Sequence, residues 1–147
     1  MIEQLTIDGL DQLVPLFDQY MVFYGKDSAP DKYRKYLRER FEKNEATVFL
    51  AGDEEGTPIG FVLNYHSFSS VSLGKIVVLN DLYVVANARK KGVGQKLIEC
   101  SFGLAREIGA VRVDLGTAKD NHTAQALYEK IGFVKGTEFF SYSYEIN

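Results

Sequence analysis

Apolar residues recur along the chain at two spacings, one helical and one strand-like, and their alternation outlines the elements. Residues 2–7 read as a short first strand. Leu10, Leu13, Val14, Phe17 and Met21 then fall at helical spacing and predict a helix with one buried face. Pro15 lies inside that pattern, so the helix either holds it in the first turn or kinks there. Residues 25–30 break the pattern. Tyr33, Tyr36, Leu37 and Phe41 mark a second helix whose other face is charged and solvated. Residues 47–51 and 59–65 are β-rich runs separated by Gly52-Asp53-Glu54-Glu55-Gly56-Thr57-Pro58, the composition of a hairpin turn.

After a Ser-rich connection at 67–72, residues 75–85 carry the longest strand signal in the chain. Leu97, Ile98, Ser101, Leu104, Ala105 and Ile108 give a third helical stripe, closed by Gly109. Residues 111–115 form the next strand. Asn121 is a good N-cap for a fourth helix with Ala124, Leu127, Tyr128 and Ile131 on one face, ended by Gly132. Phe140, Tyr142, Tyr144 and Ile146 alternate and predict a last strand with one apolar face. The order β-α-α-β-β-β-α-β-α-β is mixed α/β around one sheet, and 147 residues suit a single domain, 1–147, with one core and one site.

Composition narrows the function. Hydrophobic residues at 46% and charged residues at 25% are ordinary for a globular chain. Seventeen basic against 20 acidic residues, a net charge of −3, argue against a nucleic-acid binder and leave room for a cationic substrate. No run approaches the roughly 20 apolar residues that span a bilayer, and the start of the chain lacks the blocks of a secretory signal. No membrane association and a cytoplasmic setting are therefore expected. Cys100 has no cysteine partner, lies in a helical stripe, and reads as a small packed side chain. His66 and His122 read as surface imidazoles, and no metal-ligand spacing is present.

The informative stretch follows the long strand. Arg89-Lys90-Lys91-Gly92-Val93-Gly94 precedes a helix beginning near Gln95, and strand, glycine loop, helix is an anion-binding arrangement. Glycines admit close backbone approach, and free N–H groups at the helix start point at a phosphate. Two glycines alone also make a plain tight turn. A dinucleotide fingerprint fails because Leu97 stands three residues after Gly94, and a Walker loop is absent.

What remains is Leu82-Tyr83-Val84 followed by Arg89-x-x-Gly92-x-Gly94, which resembles the coenzyme A motif of the GNAT superfamily of N-acetyltransferases. Asn121-x-x-Ala124-x-x-Leu127-Tyr128-x-x-x-Gly132-Phe133 is similar to that family's downstream helix. The resemblance covers about residues 58–135. It implies one GNAT-type domain with a central mixed sheet, about four flanking helices, and splayed fourth and fifth strands. It also implies acetyl-coenzyme A as co-substrate, with the pyrophosphate on the amides of Lys90, Lys91, Gly92, Val93, Gly94 and Gln95 beside Arg89. The pantetheine arm and thioester would lie along Leu82, Tyr83 and Val84, with Asn121, Ala124 and Tyr128 contacting the cofactor. The stretches 79–84 and Asn121-His122-x-Ala124 resemble the branch containing histone and polyamine acetyltransferases.

Acetyl transfer needs a neutral amine, a polarised carbonyl and a proton for the departing thiolate. Preset backbone donors near Leu82 and Val84 would hold the thioester oxygen. The resemblance makes Tyr128 the general acid, a role suited to a phenol with an ordinary pKa of about 10; its spacing alone fits a core tyrosine equally. Several relatives carry an acidic residue where this chain has Asn80, so that base is missing. Asp81 either anchors a cationic amine, accepts its proton through water, or is a structural carboxylate at a bulge. The expected acceptor is a small-molecule amine, such as a polyamine or lysine-like molecule, or a basic peptide; amino acids and protein N-termini remain open. Asp18, Tyr24 and Asp27 are candidates for shaping its pocket. A silent coenzyme A-binding module and an aromatic interaction domain are the competing classes. The tail strand suggests a homodimer.

Overall fold

The computed structural model describes Met1–Asn147 and resolves into two compact units, Met1–Gly116 and Thr117–Asn147. The first unit is built on a five-stranded sheet in the order β1 (Ile2–Gln4), β2 (Ala46–Gly52), β3 (Pro58–Ser69), β4 (Gly74–Val84), β5 (Arg112–Asp114). The first three pairings are antiparallel, and β4 pairs β5 in parallel. Helices α1 (Leu10–Phe23) and α2 (Pro30–Glu42) precede the hairpin of β2 and β3, and α3 (Val93–Ile108) links β4 to β5. This is the expected mixed α/β architecture, and a fourth helix, α4 (His122–Ile131), belongs to the second unit.

Strand periodicity of two sends alternate residues to opposite faces. Val48, Leu50, Phe61 and Leu63 pack with Leu13, Val14, Phe17 and Leu37 from the first two helices. On α3, Leu97, Ile98, Ser101, Leu104 and Ala105 are buried, and Val77 joins Leu104 and Ala105 in a further cluster. The first strand is shorter than expected because Ile7 has turned into a 3-10 turn, Ile7–Gly9, that leads into α1. Pro15 lies inside α1, beyond its first turn. It is exposed, so the Asp11 carbonyl that loses a partner can bond to water. No helix is long and apolar enough to cross a membrane.

In the second unit α4 starts as expected, with the Asn121 side chain accepting from the Ala124 N–H at 3.2 Å. The expected last strand is absent: residues after Ile131 adopt no regular ladder, and Phe140, Tyr142, Tyr144 and Ile146 are exposed. Alternation makes a strand only where a neighbour accepts its hydrogen bonds and a core takes its apolar face. Within this unit there is no strand to pair with and no buried residue on α4.

Candidate active site

β4 is shaped by one irregularity. Leu63 pairs with Asp81 but Asn64 pairs with Leu79, so Asn80 is the extra residue of a bulge. The bulge sets Asp81 and Tyr83 opposite Leu63 and Phe61, on the face covered by α1. Asn80 is exposed, while Asp81 is only 8% exposed.

The Asp81 carboxylate accepts from the Tyr20 hydroxyl at 2.6 Å through Oδ1 and from Asn80 Nδ2 at 3.0 Å through Oδ2. No lysine, arginine or histidine forms an ion pair with it. Around it stand aromatic rings: Tyr20 lies 5.7 Å from Phe61 and 5.9 Å from Tyr83, centroid to centroid. Further along the same sheet face, the Tyr65 and Tyr36 hydroxyls share a hydrogen bond of 2.6 Å. Burial pushes the Tyr65 phenol well above its ordinary pKa; its bond to Tyr36 and the negative Asp81 push the same way. Arg40 lies over the Tyr36 ring, 4.6 Å from its centroid.

β5 runs beside β4 only at Ile76, Val77 and Val78, which leaves the edge from Leu79 onward without a β5 partner. Val85 donates its N–H to Ile59 of β3 at 2.9 Å. Because alternate residues of an antiparallel strand face the same neighbour, Tyr83 also turns its polar groups to β3, and Leu82 and Val84 turn theirs outward. The Val84 carbonyl accordingly accepts from Arg89 Nε at 2.8 Å. The outward N–H groups of Leu82 and Val84 thus have no strand beside them, residues 82–84 being half-buried.

The loop beyond is shaped for an anion. Lys90 and Gly92 both have left-handed backbone, φ 63° and 84°, and turns of this kind make N–H groups converge. Gly92 is the N-cap of α3, no side chain caps it, and no acidic residue lies in the first turn. The helix starts at Val93, two residues before the sequence expectation, so Gly94 and Gln95 are already helical. A Cβ at Gly92 would meet nothing in the protein within 4 Å: the space in front of the glycine is open. Lys90 and Lys91 are exposed, whereas Arg89, also exposed, turns its guanidinium toward the aromatic group, 5.6 Å from the Phe23 ring centroid and 5.9 Å from that of Tyr83. Open glycine backbone, uncapped N–H groups and the adjacent Lys90 and Lys91 make this loop suited to an anion such as a pyrophosphate.

The structure therefore brings Asp81, Asn80, Leu82, Tyr83, Val84 and the segment from Arg89 to Gln95 onto one strand, loop and helix start. Asn121 caps α4 of the second unit and Ala124 and Tyr128 lie on it, where Tyr128 packs edge-on against Phe133 at 5.8 Å between centroids. Three pocket candidates sort differently. Asp18 accepts from the Ser28 hydroxyl and the Ala29 N–H, which ties the loop before α2. Asp27 offers its carbonyl to the Tyr33 hydroxyl. Tyr24 alone belongs to the aromatic group, 4.9 Å from Tyr20. His66 is held by Thr47 Oγ1 and the Asn44 carbonyl. Burial raises the pKa of Cys100, as expected of a packed thiol. Sequence reasoning missed Tyr20, whose one signal was a tyrosine three residues after Phe17 on an apolar stripe.

Comparison with known proteins adds to this geometry. Residues 11–133 match the acetyltransferase (GNAT) family. An uncharacterized N-acetyltransferase of Bacillus subtilis is 38% identical over 141 residues, 96% of this chain and 94% of the relative. A D-amino-acid N-acetyltransferase of Saccharomyces cerevisiae is 44% identical over 85 residues, 57% of this chain and 53% of the relative. The crystal structure of a probable acetyltransferase superposes with a TM-score of 0.93 at 42% identity, covering 100% of this chain and 98% of the other.

Proposed function

The chain belongs to the acetyltransferase (GNAT) family, and from that premise we propose that it acetylates a primary amine that carries positive charge. Acetyl-coenzyme A, when bound, supplies an activated acyl thioester. The chain's own residues hold and orient the reactants. The amides from Lys90 to Gln95 and the side chains of Lys90 and Lys91 receive the pyrophosphate, with Arg89 beside them bracing the loop on the Val84 carbonyl. The outward N–H groups at Leu82 and Val84 serve the pantetheine arm and the thioester oxygen. Asp81 receives the ammonium group of the acceptor. The acceptor nitrogen, once deprotonated to the neutral amine, forms the new amide bond as the carbon–sulfur bond breaks. The further proton it sheds passes through water to solvent, and the family resemblance assigns to Tyr128 the proton that the thiolate takes up, which the phenol regains from solvent.

The observation that carries the acceptor class is Asp81, a buried carboxylate with two hydrogen-bond donors and no cationic side chain paired to it. Burying a charge is costly unless a counter-charge completes it, and an ammonium group would do so. Asp81→Asn should raise the Michaelis constant for a cationic amine about 10-fold to 150-fold, the range of a hydrogen bond to a charged group. An arylamine, uncharged at neutral pH, should be affected less. Unchanged constants for both would remove Asp81 from acceptor binding. Loss of maximal rate for both alike would make it the base instead.

A second reading has its own support. The yeast relative is named for a D-amino acid acceptor, so an amino acid's α-ammonium group is a candidate beside polyamines, lysine-like molecules and basic peptides. We further propose a homodimer, supported by the exposed apolar side chains of Phe139, Phe140, Tyr142, Tyr144 and Ile146.

A further inference from the structure

We propose that Tyr20 is a positioning residue for the acceptor: its hydroxyl fixes the Asp81 carboxylate in the orientation that receives an ammonium group. The inference rests on the acceptor reading above. An aspartate side chain rotates freely about two bonds unless something holds it. Of the two donors on Asp81, Asn80 is an exposed bulge residue, which leaves its amide loosely held. Tyr20 is pinned, with its ring 4.9 Å from Tyr24, 5.7 Å from Phe61, and 5.9 Å from both Phe17 and Tyr83. Its 2.6 Å bond to Oδ1 is the short kind formed by a hydroxyl on a carboxylate.

The remaining acceptor capacity decides what the carboxylate is for. An ionised carboxylate offers about four lone-pair sites, and these two bonds use one on each oxygen. Each oxygen therefore keeps a site whose direction is set by the Tyr20 bond, and an ammonium group with three donors can take it. A purely structural aspartate would serve equally well in any rotamer that satisfied Tyr20. An anchor would not, because the acceptor must meet it at a fixed distance from the thioester.

Tyr20→Phe removes the hydroxyl and keeps every ring contact. With a linear alkyl diamine as acceptor, its Michaelis constant should rise about 3-fold to 10-fold, the usual size of one hydrogen bond, with little change in kcat. The diamine dissociation constant, measured by calorimetry with coenzyme A present, should rise in step. An arylamine, the coenzyme A affinity and the melting temperature should move little, and Tyr20→Phe should add nothing in an Asp81→Asn background. Asn80→Ala, at an exposed site, should have the smaller effect. The inference is overturned if Tyr20→Phe affects both amines alike, if its effect persists in the Asp81→Asn background, or if Asn80→Ala matters more. Should Asp81→Asn change the diamine constants while Tyr20→Phe does not, this inference alone fails. Should Asp81→Asn change nothing, the acceptor reading fails with it.

Discussion

Gly92 shows how much one residue can carry. Its left-handed φ of 84° is strained for any side chain, and the space before it is empty of protein atoms, so a side chain there would meet only the ligand. Gly92→Val should fold, its loop relaxing away from the left-handed turn, and restoring that turn on binding should raise the coenzyme A dissociation constant about 5-fold to 150-fold, the factor matching roughly 1 to 3 kcal/mol of backbone strain. Titration calorimetry reads this directly, and unchanged affinity in a folded variant would remove the loop from cofactor binding. Tyr128→Phe should keep cofactor affinity and slow the chemical step about 100-fold to 10,000-fold, the range of general acids; wild-type single-turnover rates would leave the tyrosine a packing role. Gly92 stands out in the sequence by motif spacing, and Asp81 as a carboxylate in the stretch 79–84 with its role left open. Tyr20 was not: its role depends on an aspartate 61 positions away, and nothing local in α1 reports that partner.

Among the elements, those with strong periodicity were legible and those that depend on distant edges were not. The stripe from Leu97 to Ile108 and the run ending near Val85 appear as α3 and β4 almost where expected. The bulge was only one of three readings of Asp81 in the sequence, because its place at Asn80 is set by the register with β3. The tail failed for the same reason: alternation from Phe140 to Ile146 states a preference, and a strand also needs an edge. Pairing of α2 with β3 through Tyr36 and Tyr65 yields a test by pH. The folded state binds the Tyr65 proton more tightly than the unfolded chain does, because its phenol pKa is raised. Stability is therefore full below the unfolded value of about 10 and falls as the pH rises toward the folded value. Tyr65→Phe should lessen that alkaline loss in urea melts; an identical pH dependence would show that the phenol ionises as freely folded as unfolded.

For the whole molecule, binding of coenzyme A should appear as stability. At 100 times its dissociation constant the ligand adds about 2.7 kcal/mol, a rise of about 5 to 10 °C in melting temperature for a chain near this size; no shift would contradict a specific site. Sedimentation equilibrium should give two chains per particle, and replacing Phe140 and Tyr142 by serine should give one; a wild-type monomer would remove the dimer. The central claim is amine acetylation, and thiol release from acetyl-coenzyme A across a panel of amines tests it most directly. The account predicts release that depends on the amine, is faster with cationic amines than with an arylamine, and is matched mole for mole by acetylated product in the mass spectrum. Tight binding of acetyl-coenzyme A with no amine-dependent release would contradict it and leave a coenzyme A-binding module.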